Sequence, residues 1–188
     1  MCNQIHSFFL FIFISVVLGL TGCSDDPTGT DLDIGDVSIT ITGDIEKNVS
    51  GGQADFDGMQ TGQIHSWEIS LNDLNPQTYS LVFLKIDTEQ FAQPGTGAYS
   101  LGEVNGGFDA FFDNIVGNFD ITEYSTFSLC ETGEAGGTLT LEASSASVVR
   151  GSFDFTAVKE DFDENFDCQV LGSIRVRGEF RALPRRSI

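Results

Sequence analysis

The chain of 188 residues carries 28 acidic residues against 9 Lys and Arg, a formal net charge of −19. Most faces of such a molecule would repel a phosphate backbone or an anionic bilayer. The charge therefore excludes nucleic-acid binding and docking on lipid through a polybasic patch. Apolar residues make up 40%, which is enough for a core, and the length fits one domain. Abundant Gly (21) and Phe (17) favour strands and turns over helices.

An apolar run from Phe8 to Leu20 comes first along the chain. It is shorter than the about 20 residues that a transmembrane helix needs, and it has the length of a signal-peptide apolar region. The run leads into Leu20-Thr21-Gly22-Cys23, which resembles the lipobox of bacterial lipoproteins. The resemblance implies that residues 1–22 are removed by cleavage between Gly22 and Cys23. It also implies that Cys23 is diacylated and N-acylated, with chains such as palmitate that anchor it stably in a membrane.

Acidic residues follow the lipobox. Ser24-Asp25-Asp26 resembles the export signal that directs many lipoproteins of Bacteroidota-type bacteria to the cell surface. The resemblance implies a lipid-anchored protein of the outer membrane, displayed on the cell surface, with the periplasmic face as the alternative. These acids could instead only solvate a tether, residues 23–36, which can stretch to about 40 Å. The folded domain therefore need not lie against the lipid headgroups.

From Val37 onward, apolar residues alternate with polar ones and are bounded by turn residues, which is typical of strands. The alternation predicts a single β domain at 37–184, followed by a basic tail at 185–188. Between two of the strands, residues 87–93 could form one helical turn. The predicted strands are Val37–Ile41, Trp67–Leu71, Tyr79–Ile86, Gly97–Leu101, Phe108–Ile115, Phe119–Leu129, Thr138–Glu142, Val149–Thr156 and Ile174–Arg181.

About eight or nine short strands predict an all-β fold, either an antiparallel β-sandwich or a closed up-and-down β-barrel. Within this part, Gly97–Leu101, Gly137–Leu141 and Val149–Phe155 occur in an order that resembles small all-β lipoproteins of uncharacterised function from Bacteroidota-type bacteria. That resemblance implies no activity, because the family has no known catalytic residues to carry over. Tyr79–Ile86 is more continuously apolar, which favours a central strand covered on both faces.

Two cysteines remain after signal removal and lipidation, Cys130 and Cys168. In an exported chain an even pair predicts a disulfide, with two free buried thiols as the alternative. Closing this loop would stabilise the fold by about 4 kcal/mol in the chain-entropy model. The pair is too short of His partners to indicate zinc.

Charge is unevenly placed along the chain. Residues 24–149 hold the whole acidic excess, with only Lys47 and Lys85 as cations, whereas residues 150–188 are balanced. The basic C-terminal residues Arg181, Arg185 and Arg186 could dock on the acidic part of their own domain. They could equally face lipid phosphates, or simply be solvated.

An acidic loop near the C-terminus is a candidate metal site. Four residues fit positions 1, 3, 5 and 7 of an oxygen-ligand calcium loop. Phe166 stands where that loop needs Gly, and Gly172 where it needs a bidentate Glu. The alternative is a hairpin with Phe162, Phe166 and Cys168 inward and the acids outward. The four candidate calcium ligands are Asp161, Asp163, Asn165 and Asp167.

Four aromatic residues could form a sugar-stacking platform if they share one groove, although core packing explains most aromatic residues here. They are Trp67, Tyr79, Tyr99 and Tyr124. Catalytic patterns are weaker. The mature chain has a single histidine, His65, which precedes Ser100, whereas a nucleophile elbow at Ser100 needs a later His and a strand-turn-helix context.

These observations favour a non-catalytic, lipid-anchored envelope protein whose β domain binds a protein or a glycan or serves a structural role. One alternative is a hydrolase that uses two carboxylates on glycans, although the 28 acidic residues single out no pair. A second alternative is a barrel that carries a small apolar ligand. No cofactor other than calcium is indicated, and no nucleic-acid partner is expected.

Overall fold

The computed structural model describes residues 35–73, 76–87, 92–102, 107–117, 120–130 and 134–185. The predicted signal peptide, Gly22, Cys23, the tether up to residue 34 and Arg186 lie outside the described residues. Most of the helical turn predicted at 87–93 lies outside them as well. None of the described segments forms an apolar helix of membrane-spanning length.

Every regular element within the described ranges is a β-strand, so the all-β prediction is confirmed. Eleven strands are described: β1 (Asp36–Gly43), β2 (Lys47–Ser50), β3 (Gln53–Thr61), β4 (Ile64–Asn72), β5 (Tyr79–Asp87), β6 (Gly97–Leu101), β7 (Asp109–Val116), β8 (Asp120–Ser125), β9 (Gly136–Ser144), β10 (Val149–Phe162) and β11 (Cys168–Pro184).

The strands form one mixed, mostly antiparallel sheet with two facing layers. The first layer has the order β2-β1-β11-β10-β9-β6, and the second has the order β3-β4-β5-β7-β8. The layers join at two narrow seams. β11 runs parallel to β3 only at Leu183↔Asp55 and Pro184↔Phe56, and β10 meets β8 only at Val158↔Ser125. This ring-like closure fits a sandwich-like fold, and its strand order differs from the sequential order of an up-and-down arrangement.

Aromatic side chains fill the space between the layers. The ring of Phe83 in β5 lies 5.1 Å from Phe153, 5.9 Å from Phe155 and 6.4 Å from Phe180, all of which belong to the opposite layer. All four rings are buried. The abundance of Phe is therefore explained by a core in which few large rings span the gap between two sheets.

Glycines make room for neighbouring strands and rings within the first layer. A Cβ added at Gly178 would meet the Ser38 carbonyl oxygen and the Phe153 ring, and one at Gly151 would meet the Thr140 carbonyl oxygen. Neighbouring backbone and ring atoms occupy the space that a side chain needs, so β11 and β10 require Gly at these two positions.

The nine predicted strands all correspond to observed strands, but β2 and β3 were missed. β3 offers only Ala54 and Phe56 as buried apolar residues, and the rest of the strand is polar or Gly apart from the exposed Met59. Such residues have low β-propensity, and pairing with β4 along the whole strand outweighs it. The predicted strand Phe119–Leu129 is wrong at its end, because β8 stops at Ser125.

Candidate binding groove

The four aromatic residues proposed as a sugar platform do not form one. Trp67, Tyr79 and Tyr124 are buried in the core, and Tyr79 stacks on Phe112 at 6.4 Å. Burial of the phenol, together with the charges of two nearby aspartates, raises the pKa of Tyr79. The fourth, Tyr99, packs edge-on against a buried ring and donates its hydroxyl to a carbonyl oxygen of its own loop. Three of these rings belong to the core and the fourth packs against it, which agrees with the alternative expectation of core packing.

The acidic hairpin between β10 and β11 is organised by its own backbone. One carboxylate oxygen of Asp163 accepts hydrogen bonds from the amides of Asn165 (2.8 Å) and Asp167 (2.9 Å), which uses it as a turn-forming group. Those two hydrogen bonds lower the pKa of Asp163. Among the described residues, the aspartates of this loop do not gather three ligand atoms within 4.8 Å of one another. The geometry therefore does not support the calcium site that was predicted to include Asp161.

The hairpin alternative is also corrected in one respect. Phe162 and Phe166 point outward, since 48% and 85% of their surfaces are exposed. Phe166 takes a positive φ of 65° at the tip of the turn, which is rare for a bulky residue. Only Cys168, of the three residues expected inside, is half-buried.

Cys130 and Cys168 form the predicted disulfide, with their Cα atoms 5.2 Å apart. The bond ties the loop after β8 to the start of β11. Next to it lies Glu160 of β10, and these three side chains are the only described group of three Cys, His, Asp or Glu ligand atoms within 4.8 Å. Because both sulfurs are in the disulfide, the group serves here as a structural clamp.

Glu160 holds the same loop by its carboxylate. One oxygen accepts a hydrogen bond from the Leu129 amide (2.8 Å), and the other accepts from the Cys130 amide (3.3 Å) and the Ser128 hydroxyl. Burial opposes the charged form, but these donors outweigh it and hold the pKa of Glu160 below its usual range. A glutamate and a disulfide together fix the course of residues 127–130.

A groove with a volume of about 350 Å³ opens where β8 and β10 diverge beyond their single pairing. The fixed loop forms one wall. Phe127 and Leu129 on that wall are 44% and 56% exposed, although both are large apolar side chains. The lining consists of Phe111, Glu123, Ser125, Phe127, Leu129, Val158 and Glu160.

The groove continues into an apolar stretch on the outer surface of the second layer. Val82 of β5 lies opposite Phe111 of β7, and both point away from the core with Leu84 beside them. All three are half-buried by their neighbours. The expectation that β5 is covered on both faces is therefore wrong for the described residues. We call these three residues, together with Phe127, Leu129 and Val158 of the groove lining, the apolar face.

Acidic groups border the apolar face. Asp109 and Asp113 flank Phe111 on the same side of β7, and burial against their apolar neighbours raises the pKa of both carboxyls. Glu123 of β8 lies opposite Asp113. Among the described residues, no hydrogen bond or ion pair involves these three carboxylates. The border is thus negatively charged and uncompensated by any described cation.

Arg185 compensates the acids on β3 and β4, which lie beside β5 on the same outer surface, on the side away from β7. Its guanidinium donates to Asp55 and Glu68, both at 2.7 Å, and to the Ser70 hydroxyl at 2.8 Å. Its amide donates to the Phe56 carbonyl oxygen. Of the predicted roles for the basic C-terminus, docking on the acidic part of its own domain is confirmed for Arg185, which therefore is not part of a free tail.

The remaining sequence candidates are dispersed. His65 lies half-buried on β4, as expected for a strand residue, and Ser100 lies on β6, where the described residues that follow form no helix. Asp109 and Asp113 are four residues apart on one strand, so their Cα atoms lie about 13 Å apart. That separation exceeds the spacing of about 5–10 Å between the carboxyl groups of glycoside hydrolases, whereas Asp113 and Glu123, directly opposite each other on β7 and β8, come closer together. The filled interior near Phe83 likewise gives no support to an apolar carrier.

Comparison with known proteins returns no counterpart. No family model, no curated protein and no solved structure matches this chain. What the groove can bind is therefore argued from its own shape and charge.

Sequence reasoning missed the groove residues. Phe127 and Leu129 were predicted to lie at the end of a strand, and Glu160 was not distinguished from the other acidic residues. One signal was present: apolar residues of β5 and β7 stand at the outward parity, where a solvated sheet carries polar ones. The excess of apolar residues on that parity indicates an outer surface that is not purely solvated.

Proposed function

We propose that this protein is a lipid-anchored lipoprotein of the bacterial outer membrane, displayed at the cell surface, whose β domain acts by binding another macromolecule. The anchor follows from the lipobox at Leu20–Cys23 and the acidic tether. The binding role rests on one observation, the groove between β8 and β10 whose wall exposes the apolar side chains of Phe127 and Leu129. Exposed apolar side chains with a polar border are typical of interaction sites.

The clamp on the groove wall supports a binding role. A loop that is free to move would lose entropy on ordering at an interface, which weakens binding. Glu160 and the disulfide already fix the loop that carries Phe127 and Leu129. The wall is therefore organised before any partner arrives.

The anchor is tested by growing cells that express the chain with an alkyne-bearing fatty acid and comparing wild type with Cys23→Ala. The wild type should carry the label and sediment with the outer membrane, and the variant should lose both properties. External protease should degrade the wild type on intact cells if it is displayed outside. A Cys23→Ala protein that keeps its label and its membrane location contradicts the anchor.

The binding role is tested in the same cells with a photo-crosslinking amino acid placed at Leu129. Leu171 of β11 is a matched control, since it is 52% exposed against 56% for Leu129. Crosslinking at position 129 should give a discrete product of higher mass, and crosslinking at position 171 should not. Equal products at both positions, or none at either, contradict a binding site at the groove.

A further inference from the structure

Within the described part of the chain, one edge of β8 has almost no hydrogen-bonding partner. Along its other edge β8 pairs with β7 from Val116↔Asp120 to Phe111↔Ser125. Towards β10 it pairs only at Ser125↔Val158, and no backbone hydrogen bond joins the described loop after β8 to residues 121–124. Open strand edges are templates for another strand, and proteins usually shield them.

The direction of the backbone groups follows from the neighbouring ladder. The Thr126 amide donates to the Ala110 carbonyl oxygen at the end of β7, so Thr126 points its main chain towards β7. Main-chain groups of successive strand residues alternate between the two edges. The N–H and C=O groups of Ile121 and Glu123 therefore face the open edge, beside the groove.

We infer that the open edge of β8 accepts an extended segment of a partner protein as an added strand, and that the segment carries apolar side chains between lysines or arginines. This inference rests on the proposed binding function and names its partner. Main-chain hydrogen bonds to Ile121 and Glu123 would supply the pairing, as in other cases of strand addition. Such an extended segment would also satisfy backbone groups that a globular surface could not reach.

The side chains around the edge specify the rest of the partner. Phe127 and Leu129 form an apolar wall that can receive an aromatic or aliphatic side chain of the added strand. Glu123 and Asp113, which lack described partners, face the same region and select cations. An acidic segment, or the anionic sugars and phosphates of an envelope surface, would be repelled by the same groups.

The inference is tested with the full-length chain in detergent and a labelled synthetic peptide that alternates lysine with valine and phenylalanine. Binding is followed by fluorescence anisotropy, and backbone pairing by hydrogen exchange at the amides of Ile121 and Glu123. We expect saturable binding and slower exchange at these two amides. A peptide with glutamate in place of lysine should not bind.

Two comparisons separate strand addition from simple charge attraction. N-methylation of alternate peptide amides leaves the charge unchanged and removes donors, so it should weaken binding at least about tenfold when it falls on the pairing edge. In the protein, Ile121→Pro removes an edge N–H and leaves the β7 ladder intact. It should have a similar effect, whereas Glu123→Gln should weaken binding less and reduce its dependence on salt.

Leu129→Ser tests the apolar wall, and Leu171→Ser is its matched control at another exposed leucine. We expect Leu129→Ser to weaken peptide binding about tenfold and Leu171→Ser to leave the binding unchanged. Equal binding of the methylated and unmethylated peptides, or no binding by the lysine peptide at millimolar concentration, overturns strand addition. The crosslinking and lipid-labelling experiments do not use this peptide. A failure of strand addition can therefore be distinguished from a failure of the proposed function.

Discussion

The outer surfaces of the two layers differ in how their charges and apolar groups are arranged. On the first layer, Asp154 accepts two hydrogen bonds from Arg175, at 2.9 and 2.8 Å, and lies 3.5 Å from Arg177. Ser and Thr surround these residues on neighbouring strands. On the second layer, the apolar face is bordered by Asp109 and Asp113, which have no described partner. The first surface is typical of one that meets only water, whereas the second has the composition of an interface.

Hydrogen bonding explains why the two surfaces also respond differently to pH. The guanidinium of Arg175 holds the pKa of Asp154 below its usual range, because hydrogen bonding favours the charged carboxylate. Burial without a compensating donor raises the pKa of Asp109. The same residue type is thus stabilised as an anion on one surface and destabilised as an anion on the other.

The largest effect is expected from removing the clamp of the groove wall. Replacing both Cys130 and Cys168 by Ser should lower the free energy of unfolding by about 4 kcal/mol, because the unfolded chain regains the entropy of an open loop. Chemical denaturation of the double variant measures the loss. The lysine peptide should also bind it less well, since the wall is no longer fixed. A variant as stable as the wild type would contradict a structural role for the bond.

Adding one methyl group at Gly178 should destabilise the core beneath the polar surface. Gly178→Ala places a Cβ against the Ser38 carbonyl and the Phe153 ring, so we expect a loss of about 2 kcal/mol. Gly95→Ala is the matched control, because no atom lies within 4 Å of its added Cβ. Urea denaturation of both variants decides the matter. Equal stability of the two would mean that β11 can shift to accept the side chain.

Glu160→Gln should loosen the groove wall without disturbing the core. The variant keeps the shape but loses the charge that accepts from the Leu129 and Cys130 amides. The expected loss is about 1 kcal/mol at neutral pH, after allowance for solvent screening. Since the folded pKa of Glu160 is lowered, this stabilisation is present above its ordinary pKa and is lost as the pH falls through the folded value.

Glu164→Gln in the neighbouring hairpin is the control for that experiment. Unfolding curves collected from neutral to acidic pH should show the difference between wild type and Glu160→Gln shrinking as the pH falls. The curve for Glu164→Gln should follow the wild type throughout. A difference for Glu160→Gln that does not depend on pH would mean that its charge is not what holds the loop.

The smallest effects are opposite in sign on the two surfaces. Asp154→Asn should destabilise the fold slightly, because Arg175 loses its partner. Asp109→Asn should stabilise it by less than about 1 kcal/mol, because a poorly solvated charge is removed. The folded pKa of Asp109 is raised, so the wild type loses stability as the pH rises through that value. Thermal melts at neutral pH and near pH 4 measure the difference, which should vanish at acidic pH. A destabilised Asp109→Asn at neutral pH would remove the distinction between the surfaces.

The sequence predicted the elements better than the site. Strict alternation at Val149–Thr156 and Ile174–Arg181 correctly marked strands of which one side is buried, because the period of a strand is fixed by its backbone. The disulfide was predicted from the two cysteines that would remain in an exported chain. β3 was missed because its pairing partners, not its own residues, make it a strand. The aromatic platform was wrong because Trp67 and Tyr79 satisfy a core as well as they would satisfy a sugar.

By itself the sequence determined an all-β domain, the buried side of the clearly alternating strands such as β10 and β11, and the cysteine pair. The lipobox resemblance and its consequence for location remain predictions. Only the tertiary structure decided that β8 keeps an open edge, that Glu160 holds the loop after it, and that Asp109 and Asp113 border Phe111. The physical reason is that alternation specifies two sides of a strand but not its neighbours. Those neighbours come from distant parts of the chain, such as Ser125 and Val158, and the groove exists only where their strands part.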